Sequence, residues 1–273
     1  MYKLIALDLD GTLLDDTGSI SAKDAKALRS FSQKGGVVVL ASGRMTGCVA
    51  PFAAALGIDC PLIAYNGAMV KLMEAEKRAI LYHNPLDSRH ADIIIDYCES
   101  RRFFLNYYID DVLYATCDSS LRKYADIYSQ QTGAIYRFTD GLGRFKGGSP
   151  TKMILITDSE NSDISRTRDF LYGYFSDMMG AKVNIARTNP EYLEFFNIET
   201  DKGVALAKVA KHYGVKREEI IAFGDGENDI PMLEYAGFSA APSNARPAVK
   251  KSAGTVSVWS NNQSAVGKFL EGI

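Results

Sequence analysis

Residues 3–12 read KLIALDLDGT. Lys3 to Leu9 is a near-continuous apolar run, the pattern of a strand buried on both faces of a parallel sheet. Asp8, Asp10, Gly11 and Thr12 fall where that strand runs out into a loop, and open α/β sheets bind ligands at the carboxyl ends of their strands. Residues two apart on a strand point the same way, so Asp8 and Asp10 are expected to face one pocket. Two close carboxylates repel, and a hard cation such as Mg²⁺ relieves that repulsion with oxygen ligands. A bound phosphate would complete the metal shell. The pair also permits a division of labour: one carboxylate attacks phosphorus and the other handles the leaving-group proton. Gly11 lets the chain turn sharply just after it.

Around this strand the sequence alternates. Ser21 to Lys34 reads as a helix capped by Ser21 and ended by Gly35-Gly36. Val37 to Ala41 is a second buried strand, Met45 to Leu56 a second helix stopped by Gly57, and Leu62 to Tyr65 a third strand before an Asn66-Gly67 turn. Such alternation predicts an α/β fold with a doubly wound parallel, Rossmann-like sheet. The pattern then changes. Ser88 to Ser100 looks helical; Arg102 to Ile109 and Val112 to Thr116 form a hairpin around Asp110-Asp111; Ser119 to Gln131 is helical again. A strand at Lys152 to Thr157, a helix at Ser162 to Phe175, a strand at Lys182 to Arg187, a turn at Asn189-Pro190 and a strand at Tyr192 to Ile198 follow. Paired strands separated by helices predict an inserted α+β module with an antiparallel sheet. From Gly203 the first pattern resumes, with a helix to Tyr213 and a strand at Glu219 to Phe223. The expected core is residues 1–84 and 199–273, with residues 85–198 inserted.

A second acidic cluster, Gly224-Asp225-Gly226-Glu227-Asn228-Asp229, follows the apolar strand Ile220 to Phe223. Asp225 can supply a further Mg²⁺ ligand, Asp229 can bind the metal directly or through water, and Asn228 can donate to a phosphate oxygen. A dianionic phosphate also needs donors. Ser42, Gly43 and Arg44 follow the second strand, and the Ser42 hydroxyl with the backbone N–H groups of Gly43 and Arg44 would form an anion site at a helix N-terminus. Lys202 starts another helix, where its charge opposes the dipole, so an anionic partner is expected there.

Composition limits the alternatives. Charged residues make up 23% of the 273 and the net charge is −2, so no general attraction to nucleic acid or an anionic membrane is expected. The opening apolar run is broken by Asp8, which argues against a signal peptide or membrane anchor. Cys48, Cys60, Cys98 and Cys117 are scattered without a CxxC pair, and His83, His90 and His212 lack ligand spacing. Reduced thiols in a soluble, cytoplasmic protein are expected.

The four segments DLDGT, Ser42 after an apolar strand, Lys202 at a helix start and GDGEND resemble, in order, the four motifs of the haloacid dehalogenase superfamily. The insertion between the second and third motifs is similar to the large α/β cap of the Cof-type, IIB subfamily. The resemblance implies a Mg²⁺-dependent phosphatase. It implies that Asp8 is a nucleophile that becomes an aspartyl-phosphate, and that Asp10 is the general acid/base whose backbone carbonyl ligates the metal. Asp225 would be the second metal carboxylate. Ser42 and Lys202 would hold the phosphate, with Asn228 beside them and the Leu9 backbone N–H touching it. The cap would close over the site and select the substrate. Two segments depart from many relatives: Ala241-Pro242-Ser243-Asn244-Ala245 stands where an AMGNA-like loop is common, and Gln263-Ser264-Ala265-Val266 where a DGV-like segment is.

The expected partner is a small-molecule phosphate ester, a sugar phosphate or phosphorylated cofactor. The sequence leaves the oligomeric state open between monomer and weak dimer. A phosphomutase would use the same aspartyl-phosphate but return the group to a second hydroxyl. A non-enzymatic phospho-acceptor domain also uses Asp, Mg²⁺ and Lys, but Asp10 argues against it, since a second acid beside the nucleophile speeds hydrolysis.

Overall fold

Every residue of β1 (Leu4–Asp8) is buried, as an apolar strand covered on both faces requires. The computed structural model describes residues 1–73, 79–157, 164–188 and 190–272. They divide into two units, Met1–His83 with Asp201–Ile273, and Asn84–Thr200.

In the first unit β1 is followed by α1 (Ala22–Gln33), β2 (Val37–Ala41), α2 (Thr46–Leu56), β3 (Leu62–Ala64), β4 (Met69–Lys71) and β5 (Ile80–His83). The second unit holds α3 (Ser88–Arg101), β6 (Phe104–Ile109), β7 (Val112–Thr116), α4 (Arg122–Thr132), β8 (Tyr136–Thr139), β9 (Lys152–Ile156), α5 (Ile164–Met179), β10 (Val183–Arg187) and β11 (Tyr192–Asn197). The chain then returns to the first unit with α6 (Lys202–Tyr213), β12 (Ile220–Phe223), α7 (Ile230–Tyr235), β13 (Phe238–Ala241), α8 (Pro247–Ser252), β14 (Thr255–Val256) and α9 (Ala265–Leu270). Among the described residues no helix is long and apolar enough to cross a membrane.

The sheet of the first unit has the order β14-β13-β12-β1-β2-β3-β4-β5. The six strands from β14 to β3 pair in parallel, so the core is a doubly wound α/β sheet. Alternation along β1 fills both layers. Ile5 and Leu7 pack with Leu28 of α1, Val49 of α2 and Val266 of α9. Leu4 and Ala6 pack with Leu206 and Val209 of α6 and Leu233 of α7. Ser21 caps α1 as expected, its hydroxyl accepting the Asp24 N–H at 3.0 Å.

β4 pairs antiparallel with β3 and β5 antiparallel with β4, an extension of the sheet that the sequence pattern does not announce. The turn from β3 into β4 is sharp: Tyr65, Asn66 and Gly67 all have positive φ, of 53, 56 and 103°. A Cβ on Gly67 would lie 2.1 Å from the carbonyl oxygen of Asp201, the residue that caps α6. Glycine here lets two backbones touch and sets where α6 begins.

The second unit has a sheet of order β10-β11-β9-β6-β7-β8. All its pairs are antiparallel, as expected, except β7 with β8, which are parallel. The β6–β7 hairpin turns at Asp110 and Asp111, both with positive φ, the backbone that matches strand twist in a two-residue loop. One sheet face, with Leu105, Tyr107, Met153, Leu155 and Phe195, packs on Ile94 and Cys98 of α3 and Leu171 and Phe175 of α5. The other face carries a buried ion pair, Lys152 Nζ to Glu194 Oε2 at 2.9 Å. The expected helix start at Ser162 and the Asn189 half of the expected turn lie outside the described residues.

Gly67→Ala should lower stability by about 2 kcal/mol or more, because the new methyl must displace backbone. Gly57→Ala is the control: its φ is also positive, but its Cβ would meet nothing within 4 Å, and it should cost about 1 kcal/mol. Urea melts followed by circular dichroism check this, and equal losses at the two positions would contradict the close approach.

Candidate active site

The chain runs outward from β1 through β2 and β3 on one side, and through β12, β13 and β14 on the other. The order reverses at the β1–β12 border, where an open α/β sheet forms a crevice outside its carboxyl ends. Asp8 is the last residue of β1, and Asp225 lies just past β12. Asp229 follows in the short 3₁₀ turn Glu227–Asp229 that leads into α7. A carboxylate oxygen from each of Asp8, Asp225 and Asp229 lies within 4.8 Å of the others.

Lys202 reaches this cluster from the first position of α6, after the cap Asp201. Its side chain is wholly buried, with Nζ 2.6 Å from Asp8 Oδ1 and 2.5 Å from Asp229 Oδ1. It also donates to the Ala41 carbonyl at 3.3 Å. The other oxygen of Asp229 accepts the backbone N–H groups of Asp225 and Gly226 at 3.0 and 2.9 Å. Both oxygens of Asp229 are thus engaged, and it ties the acidic loop to the lysine.

Burial and the nearby Asp229 push the Asp8 carboxyl well above its ordinary value of 3.8, against the pull of Lys202. Burial raises Asp225 also, opposed by a 2.8 Å hydrogen bond from the Thr12 hydroxyl. Burial alone would lower the Lys202 ammonium, but Asp229 and Asp8 override it and hold its proton more tightly than an ordinary lysine's. Three carboxylates against one ammonium leave an excess of negative charge that suits a divalent cation. The donors are all oxygens, the ligand type that hard cations such as Mg²⁺ take.

The loop between the two acidic clusters is held tightly. Gly11 has a φ of +81°, and a Cβ there would lie 2.5 Å from Asp225 Oδ2. Its carbonyl accepts Asn244 Nδ2 at 2.7 Å, and Asn244 Oδ1 in turn accepts the Asn261 N–H at 2.9 Å. Leu9 is buried, and its carbonyl accepts the N–H groups of Thr12, Leu13 and Leu14.

Two expected placements are corrected. Asp10 was expected to share a pocket with Asp8, but β1 ends at Asp8 and the two-residue rule of a strand no longer applies. The Asp10 side chain is 56% exposed and makes a two-pronged pair with Arg44, at 2.6 and 2.9 Å. The like-charge neighbours that raise Asp8 are Asp229 and Asp225. Second, Ser42 was expected at a helix N-terminus, but α2 starts at Thr46 with Met45 as its cap. Ser42 is a buried loop residue whose hydroxyl accepts the Arg44 N–H at 3.1 Å, so that N–H is already engaged. A Cβ on Gly43 would press on the Asn66 side chain. Asn228 donates one amide hydrogen to Asn66 Oδ1 at 2.9 Å. The structure thus joins Asp8, Lys202, Asp225 and Asp229, and sets Asp10 and Asn228 against Arg44 and Asn66.

Thr12, the Arg44 side chain, Asn66 and Asn244 were not assigned roles from sequence. Their sequence marks are the DLDGT segment for Thr12, the position directly after Ser42-Gly43 for Arg44, the turn signal at Asn66-Gly67 for Asn66, and the Ala241–Ala245 segment for Asn244.

Residues 5–270 match the sequence model of the haloacid dehalogenase-like hydrolases. The chain is 31% identical over 272 residues to a Bacillus subtilis 5-amino-6-(5-phospho-D-ribitylamino)uracil phosphatase, covering 98% of this chain and 96% of that one. It is similar in structure to a Thermotoga maritima protein, with a TM-score of 0.89, 33% identity and coverage of 100% and 98%. A haloacid dehalogenase-like hydrolase from Bacteroides thetaiotaomicron gives a TM-score of 0.88 at 27% identity, covering 99% of both chains.

Lys202→Met should destabilise the fold by about 3–5 kcal/mol at neutral pH, since it strands two buried carboxylates. Asp8 is raised in the native state, so that state keeps a proton the unfolded chain has lost, and stability declines as pH rises above the ordinary value of 3.8. Without Lys202 that decline extends to higher pH, so the deficit should shrink on acidification. Melts of both proteins across pH, with chelator present, test this; a deficit that grows in acid would contradict it.

Proposed function

Because this chain belongs to the haloacid dehalogenase-like hydrolase family, we propose that it hydrolyses small-molecule phosphate monoesters through an aspartyl-phosphate on Asp8. It is a phosphatase of the Cof-type branch of that family. The observation that carries the finer reading is the buried Lys202 ammonium between Asp8 and Asp229, with Asp225 alongside, at the reversal of strand order.

Phosphoryl transfer needs alignment and charge neutralisation more than covalent help. Asp8 is anchored by Lys202 through Oδ1, which leaves its other oxygen to attack phosphorus in line with the leaving group. Lys202 offsets the charge of nucleophile and phosphate together, and the Ser42 hydroxyl donates to a phosphate oxygen. Asp8, Asp225, Asp229 and the Asp10 carbonyl would hold Mg²⁺, which supplies Lewis-acid stabilisation of the phosphoryl oxygens when bound. Asp10 gives a proton to the departing alkoxide and later takes one from the water that hydrolyses the acyl phosphate. To do so its carboxylate must leave Arg44.

Substrate choice is assigned to the inserted residues 85–198. Sugar phosphates and phosphorylated cofactors are the candidate class, and the Bacillus subtilis relative, named for a phosphorylated ribityl compound, supports including polyol phosphates.

Free phosphate release from a panel of monophosphates should require Mg²⁺ and be lost with chelator. Asp8→Asn should abolish turnover without changing the far-ultraviolet spectrum, and Asp10→Asn should slow it by about 10²–10⁴-fold. Substantial turnover by Asp8→Asn would refute the nucleophile. Conversion to an isomer without phosphate release would replace hydrolysis with a mutase reaction.

A further inference from the structure

The helices of the inserted unit carry an apolar surface that the chemistry of the first unit does not use. On α5, Phe170, Tyr174 and Met178 recur every four residues, one helical face, and are 67%, 37% and 42% exposed. On α3, Ile93 is 36% exposed and Tyr97, one turn later, is half-buried. The two helices adjoin, with the Tyr97 and Tyr174 rings 4.9 Å apart. Apolar side chains scattered singly over a surface are ordinary, but five grouped on two neighbouring helices mark a docking surface.

The pattern along α5 says what docks there. Gly173 lies in the same exposed face, and a Cβ on it would meet nothing within 4 Å. A glycine inside an exposed helix is disfavoured by backbone entropy, yet it leaves a hole where another side chain can seat. Arg166 lies one turn before Phe170, and Asp177 one turn after Gly173. Both are exposed, and among the described residues the ion pairs of α5 are made by Arg168 and Asp169, not by these two. Two copies of α5 laid antiparallel across a twofold axis, with each Phe170 on the other's Gly173, therefore bring each Arg166 opposite the other's Asp177. Apolar fit and charge pairing share one register, and each is satisfied twice, as an isologous interface demands.

We propose that this chain self-associates through the α3–α5 face of its inserted unit, with α5 packed antiparallel on the α5 of a second copy. A helix pair flanked by Ile93 and Tyr97 is a small interface, so the dimer is weak, with dissociation in the micromolar range. The proposal does not depend on the reaction.

The test is sedimentation equilibrium of the full-length protein across concentration, with phosphate release as a control for folding. Wild type should shift from monomer to dimer. Phe170→Glu should weaken association by about tenfold or more while leaving turnover unchanged. Arg166→Asp and Asp177→Arg should each weaken it, and the double variant should recover most of the loss. A wild type that stays monomeric at every concentration would overturn the proposal and leave the patch to a different partner. So would a dimer indifferent to Phe170→Glu, or a double variant no better than its parents.

Discussion

The ammonium of Lys202, buried between Asp8 and Asp229, is the interaction on which the rest of the site depends. Three carboxylates cannot crowd below the surface of an apolar sheet without a cation, because desolvation and mutual repulsion would both protonate them. The lysine is held there by more than its own charge. Asp201 caps α6, Gly67 lets the preceding turn press on Asp201, and Asp229 is fixed in turn by two backbone N–H groups. Elements far apart in the chain thus converge on one nitrogen atom.

This arrangement separates two aspartates that lie two residues apart. Asp8 is buried, raised in proton affinity and anchored. Asp10 is exposed and pinned by Arg44. In the proposed reaction the first attacks without moving, while the second carries protons and must be mobile. The change of environment at the end of β1 creates that difference from identical side chains.

Much of the core was legible in the sequence, because strands buried on both faces leave unbroken apolar runs and their helices leave caps. The acidic ends of β1 and β12 were legible for the same reason. The lysine stands out in the sequence because its charge opposes the dipole of its own helix, a local cost that its place between carboxylates offsets. What escaped depends on partners distant in sequence. The strands β4 and β5 are short, and β4 owes its pairing with β3 to the turn at Tyr65–Gly67. The position of Asp10 could not be read from strand periodicity because the strand stops before it. The first turn of α2 lies beyond Ser42 because the loop from Ser42 to Met45 folds on its own hydrogen bond. Parallel pairing of β7 with β8 has no local signature at all.

The most direct test of the account is to trap the covalent intermediate. During turnover the enzyme is quenched rapidly, reduced with borohydride and mapped by mass spectrometry. An aspartyl-phosphate on Asp8 predicts that this residue, and no other carboxylate, is converted to homoserine in proportion to the intermediate present. Turnover in which Asp8 stays unmodified at every quench time while another carboxylate is reduced would contradict it.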